Sequence, residues 1–300
     1  MNVKTFLRLI FAIVFALFFY KAATAADVTT FRWGWPANPL LETGQTTKYH
    51  DDDDGDLELG VAHSYTVLTT GQYAGNVTVT INGKTYAFSN ACVRDNKTGL
   101  MWARTVPQSD IGPATDGKLF WEQYTVTGET CTCNATNKTI TADAGAPFST
   151  GALCAGRKVA VTGSALGNNA TFTVASISTS VITVSEAVTD EASVSLDFAT
   201  VDDLIWDLVD QANSGSGVAG YTDWRIPNRK ELESITNIEE YNPAIDTTVF
   251  PSTPASQHWT ASTYTNCTPP ASWYVNFNDA LVNTSYNYKN KYYVRLVRGP

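Results

Sequence analysis

The sequence predicts an α+β fold, with two helices packed on antiparallel strands and a small all-β segment inserted ahead of the helices. Three observations carry this. Val201, Leu204, Ile205, Leu208, Val209 and Ala212 fall at i, i+3, i+4, i+7, i+8 and i+11, one apolar helical stripe. The last quarter of the chain alternates instead, with Trp273, Val275 and Phe277, then Tyr292, Val294 and Leu296 or their neighbours, spaced for one face of a strand. From about 125 to 196 the basic residues thin to Lys138, Arg157 and Lys158, and Thr, Ser, Val and Ala dominate. That segment reads as a module with its own pattern.

Charged residues make up only 16% of the 300, so Thr, Ser, Asn and Tyr must finish much of the surface. With 12% aromatics and 43% hydrophobics the chain can bury a core and is not of the disordered class. The net charge of −9 repels phosphate, which excludes a nucleic-acid partner. Lys4 and Arg8 precede an uncharged run from Leu9 to Tyr20, and Ala23-Thr24-Ala25 follows. This is the layout of a secretory signal, with cleavage before Ala26. The apolar run is too short to span a bilayer. Without residues 1–25, 17 basic residues face 29 acidic ones, a formal charge of −12. A soluble, exported protein is expected, secreted or extracytoplasmic at the cell surface.

Taken in order, Asp51-Asp52-Asp53-Asp54-Gly55-Asp56 invites a calcium loop. The register fails, because with Gly55 at the sixth position the first is His50 and the twelfth is Val61. A solvated acidic turn is expected, with no metal or other cofactor. Val77 to Ile81 and Thr85 to Phe88 flank Asn82-Gly83, a hairpin with a type I′ turn. Asp95 to Gly99 is turn chemistry before Leu100-Met101-Trp102. An exported chain permits disulfides, and the five cysteines are Cys92, Cys131, Cys133, Cys154 and Cys267. A bridge from Cys131 or Cys133 to Cys154 is favoured over a metal site, which would want nearby Cys or His. One cysteine at least is left free or bonds another chain. Thr200 is expected to cap the first helix with Asp203 in the third position, and Gly215 and Gly217 to end it. A second, short helix starts near Asn228 with Glu231 closing a capping box and Leu232 and Ile235 turned inward.

Four groups of motifs resemble the Lcl C-terminal domain family. They are Thr43-Gly-Gln-Thr-Thr47 with the acidic turn, Asp95 to Trp102, Gly220-Tyr-Thr-Asp-Trp-Arg-Ile-Pro-Asn228 with Lys230-Glu231-Leu232, and the terminal set. The last comprises Trp259 to Ser262, Trp273 to Phe277 and Tyr293-Val-Arg-Leu-Val-Arg-Gly299. The resemblance implies a C-type-lectin-like fold over 26–120 and 198–300, interrupted by the β-module at 121–197, which is similar to repeats of phage structural proteins. It also implies that Trp224 is buried and Arg225 paired; read from the residues themselves, Asp223 and Arg225 are most simply a structural pair.

Some family members resemble the variable proteins of diversity-generating retroelements, in which Asn-type codons near the C-terminus are rewritten. Positions 274–293 here hold five Asn and five Tyr between the apolar Val275, Phe277 and Val282. Rigid Tyr and adaptable Asn and Ser are also the composition of antibody paratopes. The expected ligand-binding face is Tyr264, Tyr274, Asn276, Asn278, Asp279, Asn283, Ser285, Tyr286, Asn287, Tyr288 and Tyr292. No catalytic residue is expected. No G-x-S-x-G, H-E-x-x-H, P-loop or G-x-G-x-x-G motif occurs. The formylglycine-generating enzymes, of related fold, use a copper-binding cysteine pair near the C-terminus, where this chain has only Cys267. The reading is an adhesin-like binding protein for an unknown protein or glycan ligand on a cell or phage surface. The alternative is a structural surface or fibre component.

Overall fold

The computed structural model describes residues 41–49, 54–57, 60–109, 117–149, 152–267, 271–286 and 290–299. The signal at 1–25, the acidic residues Asp51 to Asp53, and Asn287 and Tyr288 of the expected binding face lie outside these. Among the described residues no helix is long and apolar enough to cross a membrane.

A strap at 41–48 leads to α1 (Asp54–Leu57) and then to short strands: β1 (Tyr65–Leu68), β2 (Asn76–Ile81), β3 (Lys84–Ser89), β4 (Cys92–Asp95), β5 (Met101–Ala103), β6 (Gln108–Ser109) and β7 (Leu119–Phe120). The β2–β3 hairpin turns on Asn82 and Gly83 at φ 48° and 79°, the conformation that suits this dipeptide. The Asp95–Gly99 turn is held by a buried carboxylate. Asp95 Oδ1 accepts from the Lys97 N–H at 2.8 Å and Oδ2 from the Thr98 hydroxyl at 2.7 Å. The strap is tied down by Glu239, whose carboxylate accepts from the N–H groups of Thr46 and Thr47 and from the Thr46 hydroxyl. These donors hold Glu239 down near pKa 2, the Thr46 hydroxyl foremost. Gly44 has φ +86°, and a Cβ there would sit 2.5 Å from Asn237 Oδ1, so the Gly of this motif is steric.

Next come β8 (Thr125–Asn134), β9 (Thr139–Ala142), β10 (Lys158–Thr162), β11 (Ala170–Ile177), β12 (Val181–Val184) and β13 (Glu191–Thr200). They close into a six-stranded barrel, β10-β11-β12-β9-β8-β13, every neighbouring pair antiparallel. Alternation supplies the interior. Val159, Val161, Phe172, Val174, Ile182, Val184, Leu196 and Phe198 point inward and are buried, together with Cys131 and Cys133. Burial pushes the Cys131 thiol up to about 12 and that of Cys133 to about 11, so neither is poised as a thiolate ligand. Cys154 is exposed, and all three remain thiols, which corrects the expected bridge. The barrel's two ends meet: Thr125 pairs with Ala199, and Val159 with Thr200.

After the barrel run α2 (Ile205–Ala212), α3 (Arg229–Glu233), β14 (Gln257–Tyr264), β15 (Ala271–Asn276), β16 (Leu281–Tyr286), β17 (Lys291–Tyr292) and β18 (Val297–Arg298). The α+β expectation is overturned. Among the described residues strand takes 42% and helix 8%, so the fold is mostly β and not a two-helix C-type-lectin-like fold. One reason is that the first helix is shorter than its stripe. Thr200 is still barrel strand, and Leu204 bridges Phe120, so only Ile205, Leu208 and Ala212 use the stripe as buried helix positions. The second helix has the expected box. Asn228 Oδ1 accepts from the Glu231 N–H at 3.0 Å, and Glu231 Oε2 from the Asn228 N–H at 2.7 Å.

Two further cores lie outside the barrel. One gathers Phe88, Cys92, Ala103, Leu119, Leu208, Trp224, Trp259 and Leu296; the other Trp102, Leu232, Phe250, Val275, Phe277 and Val297. Trp224 is 2% exposed, and its indole N–H donates to the Val218 carbonyl at 2.9 Å. Asp223 and Arg225 do not pair with each other. Arg225 forks onto Glu231 at 2.7 and 2.7 Å, and Asp223 takes Arg298 at 2.7 and 3.1 Å. Arg295 is wholly buried and meets no carboxylate among the described residues. Its N–H groups serve the Ala103 and Arg104 carbonyls and the Thr253 hydroxyl, and burial lowers its pKa to about 9.

The barrel is clamped to the rest. Arg157 and Asp202, 6% and 4% exposed, meet at 2.5 Å, and the Arg157 guanidinium lies 4.1 Å from the Phe120 ring centre. The next residue, Asp203, accepts from the Tyr86 hydroxyl at 2.6 Å and from Asn82 at 3.2 Å.

Candidate functional site

The C-terminal sheet, in order β14-β15-β16, positions most of the expected binding residues. In an antiparallel sheet, directly opposed residues share a face. Trp259 opposes Tyr274 and Tyr274 opposes Asn283; Ser272 opposes Ser285; Asn276 opposes Leu281. Tyr274, Asn276, Asn283 and Ser285 therefore lie on one face. Tyr292 joins them from β17, its hydroxyl donating to Ser285 Oγ at 3.1 Å and its ring 5.0 Å from that of Tyr274. Asn290 also donates to Ser285 Oγ, at 2.7 Å.

The face grades from buried to open. Trp259 is fully buried under Tyr292, with ring centres 4.4 Å apart. Tyr274 and Tyr292 are half-buried against the core, and burial raises the Tyr274 pKa. Asn283 and Leu281 on the outer strand stand exposed. Tyr274 thus has a buried base and an exposed rim.

Other expected residues lie elsewhere. Tyr264 and Tyr286 flank Ala271 on the opposite face, where Tyr264 meets Trp273 edge-on at 5.8 Å and Arg229 stacks 4.4 Å from the Trp273 ring centre. Asn278 and Asp279 form the β15–β16 turn. The Asn278 carbonyl accepts from Asn242, and its side chain reaches the Tyr241 hydroxyl at 3.4 Å. Asp279 is exposed and caps the turn through the Leu281 N–H at 3.2 Å.

Two aromatics border the face that the sequence reading passed over. Trp121 packs against the same core as Tyr274 and Tyr292, and its indole N–H donates to the Thr260 carbonyl at 2.8 Å. Trp206, at the start of α2, meets Trp121 edge-to-face at 5.1 Å and 83° and is 38% exposed. The missed signal was position: Trp206 falls between the stripe residues Ile205 and Leu208, on the polar side of the helix.

Acid–base chemistry has little footing at His258. It is wholly buried, edge-on to Phe277 at 4.8 Å, and burial lowers its pKa to about 3. A separate concavity of about 750 Å³ lies between the strap and α3, lined by Leu41, Thr43, Leu100, Lys230, Glu233 and Ile238 among others.

Comparison with known proteins shows the family of this chain. No curated protein matches the chain. Among solved structures, a chain of the phage phi92 endosialidase aligns over 71% of this chain and 30% of its own length, with 16% identity and a TM-score of 0.20. The present chain therefore spans less than a third of that protein, and so shallow a superposition carries no argument. The family model of the Lcl C-terminal domain matches residues 91–298, a span that takes in the barrel, α2, α3 and the whole C-terminal sheet. The chain belongs to the Lcl C-terminal domain family.

Proposed function

We propose that this chain is a secreted or surface-displayed, adhesin-like protein that binds its ligand on the C-terminal sheet. The observation that carries the reading is the shared face of Tyr274, Asn276, Asn283, Ser285 and Tyr292. Rigid amphipathic rings with adaptable amides and hydroxyls beside them are the chemistry of a recognition surface. The buried bases of Trp259 and Tyr292 hold the rims of the face in place, as a binding site requires. A catalytic role finds no support at His258, which is dry and neutral. A face diversified by a retroelement is part of this reading, supported by Tyr274, Asn276, Asn283 and Tyr286 on the sheet and Asn278 in its turn. A near-repeat of the 3′ coding segment differing at adenines, beside a reverse transcriptase gene, would establish it; its absence would remove it.

The experiment is binding of the labelled protein to candidate host cells, with Tyr274→Ser/Asn283→Ala compared against the parent. Loss of binding is expected, with a cooperative melting transition retained. Binding that survives the double variant would move the site off this face. The closed barrel favours a second reading, a structural spacer of a surface fibre. On that reading barrel truncation, and not the face variant, would abolish display.

A further inference from the structure

We propose that the concavity between the strap and α3 is a binding site separate from the sheet face, and that it takes an organic cation: an amine or guanidinium carried on an apolar arm. Its volume of about 750 Å³ is that of a ligand site, large enough for a small molecule or a short peptide segment. Neither Tyr274 nor Asn283 nor Ser285 of the sheet face lines it. Its apolar wall comes from Leu41, Leu100, Ile238 and Ala280, and Ile238 is a bare aliphatic side chain, 49% exposed. Three carboxylates line the same space: Glu42, Glu231 and Glu233. Two are already paired within the fold. Glu231 holds Arg225 and closes the capping box, and Glu233 takes Lys230 at 3.2 Å and Arg229 at 3.8 Å. Glu42 is half-buried, and its carboxylate meets no cation and no hydrogen-bond donor among the described residues.

The rest of the lining leaves Glu42 as the open charge. The hydroxyls turn back into the fold: Thr43 to Asp54, Thr98 to Asp95 at 2.7 Å, Ser234 to the Glu231 carbonyl at 2.7 Å and Thr236 to the Glu233 carbonyl at 2.8 Å. Glu42 is also held in place. Its N–H donates to the Val61 carbonyl at 3.2 Å. The adjoining Thr43 carbonyl accepts from the Ile238 N–H at 3.2 Å, which sets the residue that bears the charge beside the aliphatic wall. Further along, Glu239 pins the strap through the N–H groups of Thr46 and Thr47. A half-buried carboxylate has given up part of its water, and the lower local dielectric strengthens its attraction for a cation over that of a bare surface acid. An anionic group would meet the same field as repulsion.

The test is isothermal titration calorimetry of the full chain with hexylamine, phenethylamine and the dipeptide N-acetyl-Leu-Arg-amide, beside methylamine, hexanol and hexanoate. Hexylamine is expected to bind about tenfold more tightly than hexanol. Added NaCl should weaken it. Hexanoate should not bind, and methylamine, which has no arm, should bind far more weakly. Glu42→Gln should bring hexylamine down to the level of hexanol, with cooperative melting retained. Lys230→Met removes the positive charge at the rim and frees a Glu233 oxygen, so it should act in the opposite direction and tighten hexylamine several-fold. Tighter binding of the dipeptide than of hexylamine would assign the site to a basic peptide segment, and the reverse to a free amine; either supports the proposal. Equal binding of hexylamine and hexanol, binding unmoved by Glu42→Gln, or no binding of any cation would overturn it. So would loss of hexylamine binding in Tyr274→Ser/Asn283→Ala, which would put the probe on the sheet face.

Discussion

The barrel and the body around it solve the problem of a core in opposite ways. All six barrel strands come from one run of chain, 125–200, and every fully buried residue of their core comes from that run, with Tyr124 packed against it from the strand's approach. The body draws each of its cores from both sides of the barrel. Cys92, Ala103 and Leu119 pack with Leu208, Trp259 and Leu296, and Trp102 with Phe277 and Val297. A contiguous unit can be cut out or perturbed without stranding its neighbours. A discontinuous one must wait for its second half, and every core residue binds the halves together.

The sharpest way to break this comparison is a pair of large-to-small changes, each costing about 3–5 kcal/mol. All eight tryptophans lie outside 125–200, so tryptophan fluorescence reports on the body alone. Phe172→Ala should lower a barrel transition seen by circular dichroism and leave the fluorescence transition in place. Trp224→Ala should abolish the fluorescence transition. Coincident loss of both signals in Phe172→Ala would show one cooperative unit.

The clamp comes next. Arg157→Met leaves Asp202 buried without its partner and should cost about 3 kcal/mol. The Arg157→Met/Asp202→Leu pair should recover most of that. Equal melting temperatures for the single and double variants would mean the clamp carries no energy. Replacing 125–196 with a short Gly-Ser linker should still give a body that melts cooperatively, because Thr125 and Ala199 already sit opposite each other.

A smaller effect follows from His258, which belongs to the body. Its folded pKa of about 3 lies below the unfolded value of about 6.5, so the unfolded chain binds the proton more readily. Its contribution is complete above pH 6.5 and declines as pH falls toward 3. Roughly 2–3 kcal/mol should be lost between pH 7 and 4.5. His258→Gln should flatten the fluorescence-detected stability in that window, while the barrel transition keeps the same pH dependence in both proteins. An unchanged slope in the body would sink the assignment. The smallest effects belong to the open rim: Asn283→Ala should move stability by under about 0.5 kcal/mol, measured by urea midpoint.

What could be read from the sequence was what local chemistry decides. The Asn82-Gly83 hairpin and the Asn228–Glu231 box formed where expected because each carries its own partners within a few residues. The start of the first helix was misplaced because its cap candidate, Thr200, is claimed by the barrel, its hydroxyl accepting from the Tyr124 N–H at 3.0 Å. The α+β expectation failed for a similar reason: periodicity marked helices without showing that one is 8 residues long and the other 5. Asp223 and Arg225 looked like partners by proximity, yet Asp223 pairs with Arg298, 75 residues away, where no spacing rule reaches, and Arg225 with Glu231 of the capping box. At the site, alternation separated Tyr274 and Asn276 from Val275 and Phe277. It could not show that Tyr264 and Tyr286 face the other way, which depends on register and on the irregularity in β14 between Trp259 and Thr263.

The paired ends of the barrel have a mechanical consequence. A pull applied across 125 and 199 meets β8 and β13 end-on, so their hydrogen bonds are loaded one after another, as in a zipper, and not together. The Arg157–Asp202 contact at the root is the latch in front of that zipper. Once it opens, the run from 125 to 200 pays out on the order of 250 Å of chain at little further force. Under tension between the two ends of the chain, the barrel is a reserve of slack that yields before the C-terminal sheet is strained.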